Sequence, residues 1–249
     1  EYLYKTLTYY PKQPDAEKLL IKMKRSHMPY IEGKVAITKD NGENKAMNNS
    51  VRVEIPLSTK LSIGTRVRYR NTKNDITRNE ASLNDGQVGL SYKFNGRITL
   101  LARGGITNAD SYTNEYMESI GEIMLKTKPS AMQHLEIGAK RELQDFNAEL
   151  INEKILMNHY FLNNNLSSTM GLGWYTQYMY TNQTDDNDRH LLFTSLYYNI
   201  KHTPVIKAGV NYQYISFKDQ YPALYFSPKR FNVVAVSYTH LTLPTSAIV

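Results

Sequence analysis

Apolar and polar residues alternate with a period of two along several segments of this chain. Val51, Val53 and Ile55 occupy one set of positions, and Arg52 and Glu54 occupy the other. In a β-strand successive side chains point to opposite faces of the sheet, so such a segment has one apolar face and one charged face. Four further segments show the same alternation, and in them too the apolar face carries no charge; they are 61–70, 97–103, 135–140 and 206–214. The pattern requires a sheet whose two faces meet different environments.

Twelve segments are predicted to be strands, and the links between them are predicted to alternate between short and long. The strands are 30–38, 49–57, 60–70, 86–94, 96–105, 116–127, 132–142, 153–162, 165–180, 189–200, 204–216 and about 229–236. A barrel that spans a membrane has brief turns at one rim and longer loops at the other, and each strand presents one face to lipid. The sequence therefore predicts an all-β fold, an antiparallel up-and-down transmembrane β-barrel with at least twelve visible strands.

Composition is consistent with this prediction. The chain has no run of 18 apolar residues, so no transmembrane helix is expected. Twenty tyrosines suit the boundary between lipid and water, because the ring is apolar and the hydroxyl is polar. The absence of Cys excludes disulfides and thiolate metal sites. The net charge of +7 is typical of nucleic-acid binding in a soluble domain, but here the cations lie on one face of the strands. We therefore expect no nucleic acid as a partner and no cofactor.

The charged faces of the strands define the candidate pore-lining residues. These are Arg52, Glu54, Arg66, Arg68, Arg70, Arg97, Arg103, Glu118, Glu122, Glu136, Lys140 and Lys207. With Lys34, Lys93, Lys126 and Glu32 included, cations outnumber carboxylates on these faces. Rings of Arg or Lys favour anions in a narrow pore. Alternatively, interleaved Arg–Glu pairs make the wall rigid, and the sequence leaves both interpretations open. The run Arg66, Arg68 and Arg70 is the strongest candidate for a functional patch.

The first 28 residues lack this alternation and are predicted to be helical, with a break near Pro11 and Asp15 as the cap of the second helix. The positions of Leu3, Thr6 and Pro11 suggest the end of a tetratricopeptide-like repeat. Residues 29–236 are then the barrel.

Both ends of the chain suggest a piece of a longer protein. Residues 237–249 resemble the translation of a sequencing adapter and are expected to be a non-native tail. The chain also starts without Met or a signal peptide, which an outer-membrane protein requires. We therefore expect a fragment whose intact barrel has 14 or 16 strands.

A helical-repeat segment leading into a barrel with a basic interior resembles the tetratricopeptide-coupled outer-membrane porins of exopolysaccharide export. Two stretches add to the resemblance, Asp185-Asp186-Asn187-Asp188-Arg189 after a long loop and Tyr225-Phe226-Ser227-Pro228-Lys229-Arg230-Phe231 before a late strand. The resemblance implies a conduit for a polysaccharide in the bacterial outer membrane. Its expected partners are outer-membrane lipid, the polysaccharide polymer, and periplasmic or inner-membrane secretion components.

Two other functions stay open at this point. One is a structural or assembly barrel with a plugged interior. The other is an outer-membrane enzyme that modifies lipid, which needs a Ser and a His brought together, for example Ser119 and His134. No spacing in the sequence ties such a pair together, so we expect no catalytic site. The acidic run at 185–188 could supply oxygen ligands to Ca²⁺, but its spacing favours an ordinary loop tip, and we expect no metal.

Overall fold

A computed structural model describes residues 2–26, 28–202 and 205–241. Twelve strands form one antiparallel sheet in which each strand pairs with its neighbours in sequence. The strands are β1 (Tyr30–Lys39), β2 (Asn44–Pro56), β3 (Leu61–Asn74), β4 (Glu80–Lys93), β5 (Ile98–Ser111), β6 (Glu115–Ser130), β7 (Gln133–Leu143), β8 (Leu156–Ser167), β9 (Leu172–Gln183), β10 (Asp188–His202), β11 (Val205–Phe217) and β12 (Phe231–Leu241). The predicted all-β, antiparallel, up-and-down fold class is confirmed.

Three short helices accompany the sheet: α1 (Tyr2–Tyr9), α2 (Pro14–Ser26) and α3 (Ala148–Asn152), which lies between β7 and β8. Helix α2 begins at Pro14, whose fixed φ suits the first helical position. Asp15 therefore lies inside the first turn, and the prediction that it caps this helix is wrong. In the described part of the chain, no helix is long and apolar enough to cross a bilayer.

Most of the links predicted to be long are short, because the strands continue into them. The links 40–43, 75–79 and 112–114 are tight turns, whereas 144–155 and 218–230 are long. The extended strand ends are polar and lack alternation, so their backbone pairing left no periodic signal in the sequence. We call the end of the sheet that carries 144–155 and 218–230 the loop end, and the opposite end the turn end.

One turn was also predicted in the wrong place. The predicted turn at 163–164 lies inside β8, and the chain reverses instead at 168–171. Asn163 and Asn164 are paired in register with β7 on one side and with β9 on the other, so the strand continues through them. A run of Asn residues was mistaken for a turn, since Asn is common in turns.

The sheet is curled around α3. One side of α3 packs against β3, β4 and β5, and Leu150 on α3 also packs with Phe217 at the end of β11. In a flat sheet β3 and β11 would be roughly 38 Å apart, given about 4.8 Å between strands, whereas a helix is about 10 Å wide. The sheet therefore has a concave inner face that contains α3 and a convex outer face. Within the described residues, β1 and β12 are the two edges and do not pair with each other.

The outer face is an exposed apolar surface. Its large side chains are between 36% and 81% exposed, and they include Val51, Val67, Leu90, Ile106, Ile123, Ile137, Leu162, Leu196, Val210 and Val236. Among the described strand residues, charges on this face lie close to its two ends. Lys39, Lys45, Lys73, Glu80, Asp110, Glu115, Arg141 and Asp188 are near the loop end, and Lys201 is at the turn end. Aromatic side chains border the apolar surface at both ends, with Tyr160, Tyr178 and Tyr180 towards the loop end and Tyr92, Phe94, Trp174 and Tyr198 towards the turn end.

Strand β12 continues beyond the predicted end of the native barrel. Residues 237–241 pair with 205–209 of β11 in the same register as the residues before them. The predicted boundary at residue 236 therefore does not coincide with the end of a strand. Residues 242–249, the rest of the predicted tail, lie outside the described residues.

We expect Gly171→Ala to destabilise the turn between β8 and β9 by about 1–2 kcal/mol, because only Gly adopts a left-handed conformation without strain. Gly171 has φ +86°, and an added Cβ would lie 3.1 Å from the carbonyl oxygen of Asn199. Gly96→Ala, in another turn at the same end, is the matched control because its Cβ would meet nothing within 4 Å. Urea unfolding measures the stability of both variants, and equal stability would contradict a left-handed backbone conformation at Gly171.

Candidate functional site

A loop segment fills part of the space enclosed by the concave face. Residues 144–155, here called the plug, leave β7, form α3 and return to β8. Asn147 caps α3 by accepting a hydrogen bond from the Leu150 amide at 2.8 Å. Ala148, Leu150 and Ile151 are 0%, 1% and 0% exposed. A helix of this length is not stable alone, so packing against the wall must stabilise it.

Apolar contacts hold the plug on two sides. Ala148 and Ile151 belong to a buried cluster with wall residues of β4 and β5, whose members include Ala81, Leu83 and Ala109. Leu150 and Ile155 belong to a second cluster with Phe217 of β11 and Tyr225 of the loop 218–230. The plug therefore bridges strands that are far apart in the sheet and narrows the interior at the loop end.

The wall also supplies polar partners to the plug. Glu149 accepts hydrogen bonds from the Thr77 hydroxyl at 2.9 Å and from the Asn79 amide at 3.0 Å. The Tyr116 hydroxyl donates to the carbonyl of Ile151, and Asn114 Nδ2 donates to the carbonyl of Asn152 at 3.0 Å. The hydrogen bonds from Tyr116 and Asn114 go to carbonyls at the end of the short helix, where the chain no longer continues the helical hydrogen-bond pattern.

Two of the three arginines in the predicted functional patch hold the plug in place. Arg68 forms ion pairs with Asp85 at 2.5 Å and with Asp145 of the plug at 2.6 Å. Arg70 donates to the carbonyl oxygen of Phe146, also in the plug, at 3.2 Å. Arg66 lies two residues nearer the turn end and has no ion pair within the described part of the chain. The run thus divides into two side chains that bind the plug and one that faces open space.

Arg66 shares a cavity of about 210 Å³ with Arg52 and Arg103. Arg52 lies directly opposite Arg66 in the register of β2 and β3, and it pairs with Glu54 at 2.8 Å. Arg103 pairs with Glu122 at 3.5 Å. Gly89 is on β4, between the strands that carry Arg66 and Arg103, and an added Cβ at this residue would lie 2.3 Å from Arg103 Cγ. Glycine at this position therefore lets the Arg103 side chain lie across β4.

Most of the other predicted pore-lining residues also lie on the concave face and are paired. Glu136 pairs with Lys126 at 3.1 Å, Glu118 pairs with Lys154 at 2.7 Å, and Lys140 pairs with Glu142. Lys207 lies over the Tyr197 ring, 3.3 Å from its centre. Arg97 was predicted to lie in a strand, but it belongs to the turn 94–97, because β5 begins at Ile98. Interleaved ion pairs thus describe most of this wall, and Arg66 is the main exception. That these side chains line a conducting pore stays a prediction.

Sequence reasoning missed several residues of the site. Asp85 and Asp145 were not recognised as partners of arginines because 17 and 77 positions separate them from Arg68. Arg189 lies on the concave face, donates to Thr181 Oγ1 at 3.2 Å and was not among the candidates. A signal for α3 was present, since Asn147 precedes Ala148 and the acidic Glu149 in the way typical of a capped helix start.

The two stretches on which the family resemblance rests contact each other at the loop end. Asn187, which is fully buried, donates to the Tyr225 hydroxyl at 2.8 Å, and that hydroxyl donates to Asp185 at 2.7 Å. Burial and the hydrogen bond to Asp185 raise the pKa of Tyr225 above its usual range, so the hydroxyl keeps the proton that it donates. This network ties the loop 218–230 to the 184–187 link, and Tyr225 also packs with Leu150 and Ile155 of the plug in the second apolar cluster.

The candidate enzymatic pair does not come together. Ser119 lies on the convex face and His134 on the concave face, as the registers of β6 and β7 show. Among the described residues, no group of three His, Cys, Asp or Glu side chains could hold a metal ion. The acidic residues at 185 and 188 instead accept hydrogen bonds from tyrosines.

Comparison with solved structures gives the fold a counterpart. The chain is similar to a bacterial polysaccharide outer membrane secretin, with a TM-score of 0.66 and 12% sequence identity over 87% of this chain and 72% of the other. At this identity the likeness concerns the fold alone. No protein-family model matches the sequence, and no curated protein matches it.

We expect Asp145→Asn to loosen the plug, because the substitution removes the charge that Arg68 and Arg70 face. Hydrogen bonds to charged groups contribute about 1.5–3 kcal/mol, so the amides of Leu150 and Ile151 should exchange with solvent roughly 10–100 times faster. Hydrogen exchange with mass spectrometry measures the change. Asp186→Asn, at an exposed loop tip, is the control. Unchanged exchange in Asp145→Asn would show that the ion pairs do not hold the plug.

Proposed function

We propose that this protein is an outer-membrane β-barrel that conducts a secreted polysaccharide, with the plug as its constriction. The observation that carries the proposal is the combination of two surfaces: an exposed apolar outer face and a charged concave face that encloses the plug. A soluble protein rarely exposes an apolar surface of this extent. A membrane barrel needs one on its lipid side, together with a polar interior.

The strand dimensions support a membrane location. Strands β3, β4 and β5 have 14 residues each, which is about 46 Å of extended chain, or roughly 33 Å across a bilayer at a tilt of 45°. The hydrocarbon core is about 30 Å thick. The outer-face charges near the loop end then fall beyond the hydrocarbon, where they meet water.

The fold supports polysaccharide as the cargo. The similar structure is a polysaccharide outer membrane secretin, and the sequence resembles polysaccharide-export porins. We propose that α1 and α2 are the end of a tetratricopeptide-like repeat region on the periplasmic side. That region would connect the barrel to periplasmic or inner-membrane secretion components.

A structural or assembly barrel with a permanent plug is the second candidate. The specific observation in its favour is the extent of the plug's contacts, which include two buried clusters and hydrogen bonds to three wall segments. The two candidates differ in whether the plug moves. We propose no catalytic activity for either.

We expect Leu196→Arg to lower the free energy of unfolding in lipid vesicles by about 2–4 kcal/mol, because it places a cation against hydrocarbon. Ser195→Arg, one position away on the concave face, should cost less than about 1 kcal/mol. Urea titrations in vesicles compare the two variants. If the larger cost fell on Ser195→Arg, the proposed lipid face would be the wrong one.

We expect replacement of 146–153 by a Gly/Ser linker of equal length to open the conduit. Liposomes that contain the variant should release an entrapped neutral fluorescent oligosaccharide several-fold faster than wild-type liposomes, because the constriction is gone. The control is a Gly/Ser replacement of 58–60, a turn at the other end that does not contact the plug.

The outcomes separate the two candidate functions. Slow release from wild type and fast release from the variant supports a conduit that the plug restricts. No release from either protein, with both folded by circular dichroism, contradicts the conduit and leaves the structural barrel.

A further inference from the structure

The concave face has two chemically different walls. We call the inner face of β2–β6 the cationic wall, because Arg52, Arg66, Arg103 and Lys126 project from it. The inner face of β9–β11 is the neutral wall, which carries Tyr175, Gln177, Phe193 and Gln213 between its ends. A pore for neutral sugars has no physical need for this separation, so its origin requires an explanation.

Cations on the cationic wall are continuous from the turn end to the plug. A cavity of about 360 Å³ at the turn end is lined by Lys93, Arg97 and Lys126. Lys126 also lines the next cavity, which contains Arg52, Arg66 and Arg103. Beyond it, Arg68 and Arg70 bind the plug. An anion that entered at the turn end would therefore meet a cation at each step towards the plug.

The carboxylates on the concave face do not pair with every cation of the cationic wall. Glu54, Glu122 and Glu136 each pair with one cation, Arg52, Arg103 and Lys126 respectively. Arg66 has no such carboxylate in the described residues, although it lies directly opposite Arg52. Like charges opposite each other destabilise a sheet. The fold alone gives no reason for this pair, whereas a bound anion would offset the repulsion.

The neutral wall suits the uncharged faces of sugar rings. Tyr175 and Phe193 lie with ring centres 6.0 Å apart on adjacent strands. Gln177 is directly opposite Phe193 in the register, and so is Gln213. Aromatic rings offer flat apolar surfaces, and side-chain amides both donate and accept hydrogen bonds. These are the groups that a chain of hydroxylated rings can contact.

We propose that the polymer is an anionic polysaccharide whose carboxylate, sulfate or phosphate groups contact Arg66 and its neighbours Arg52 and Arg103. This inference rests on the proposed conduit function and specifies its substrate class. Arginine presents several donors in a planar fork that matches an oxyanion. The ring faces of the same polymer contact the neutral wall.

Calorimetric titration of the folded protein in neutral detergent tests the proposal without requiring an open pore. The ligands are polygalacturonate oligomers, dextran sulfate and neutral dextran of similar length. At least one anionic polymer should bind more tightly than dextran, and added salt should weaken its binding because salt screens charge. Binding of polygalacturonate alone identifies carboxylates, and binding of dextran sulfate alone identifies sulfate-like esters.

Arg66→Gln should weaken the binding of that polymer about tenfold, because the loss of one charged hydrogen bond is worth about one decade in Kd. Lys73→Gln is the matched control, since it removes the same charge from the outer face of the same strand. It should change Kd by less than about twofold. Equal binding of neutral and anionic polymers, or no effect of Arg66→Gln, would overturn the proposal. Failure of the liposome release with intact anionic binding would instead count against the conduit.

Discussion

The register of backbone hydrogen bonds between neighbouring strands fixes which side chains share the interior. One row runs from Glu54 through Gly64 and Gly89 to Arg103 and Glu122. A slip of one residue between two strands would turn the concave-face arginines of every following strand to the apolar face. The two register irregularities, after Thr127 in the β6–β7 pairing and after Asn199 in the β10–β11 pairing, lie near the turn end, so the central rows stay intact. The ion pairs and the plug contacts depend on that continuity.

The apolar side chains of the plug are well packed, but some polar atoms of the wall beside it have no hydrogen-bond partner. Its helix packs in two buried clusters, and the wall supplies donors to its carbonyls. Beneath it, however, Arg70 Nε, Asp85 Oδ1 and Thr107 Oγ1 are buried without hydrogen-bond partners in the described residues. Each such atom costs about 1–3 kcal/mol. These costs offset part of the packing free energy, and a segment with a small net stability is the kind that opens locally.

The alternation that indicates a strand is a local pattern, so the sequence predicted the strands well. The plug depends on contacts between residues that are far apart in the sequence, so the sequence predicted it poorly. Each of the twelve described strands overlaps a predicted one, and in the segments with clear alternation the period of two placed Arg52, Arg66 and Arg103 on one face. It could not show that Arg68 pairs with Asp145 or that Glu149 accepts from Thr77, which is 72 residues away. Those contacts require both the register and the curl of the sheet. The same limit explains the missed strand ends, whose polar residues pair through the backbone alone.

The arrangement of three arginines on one strand has a mechanical consequence for the proposed conduit. Arg66 and Arg68 are two residues apart, which is about 7 Å along the strand. An oxyanion that moves from Arg66 towards the loop end meets Arg68, whose guanidinium is already bound to Asp145 of the plug. The oxyanion and Asp145 then compete for the same donors. A ligand shifts a conformational equilibrium by its difference in affinity for the two states. If the proposed function is right, an anionic polymer would bind Arg68 better once the plug has left it, so its advance would favour the open state, whereas a neutral polymer would have no such preference.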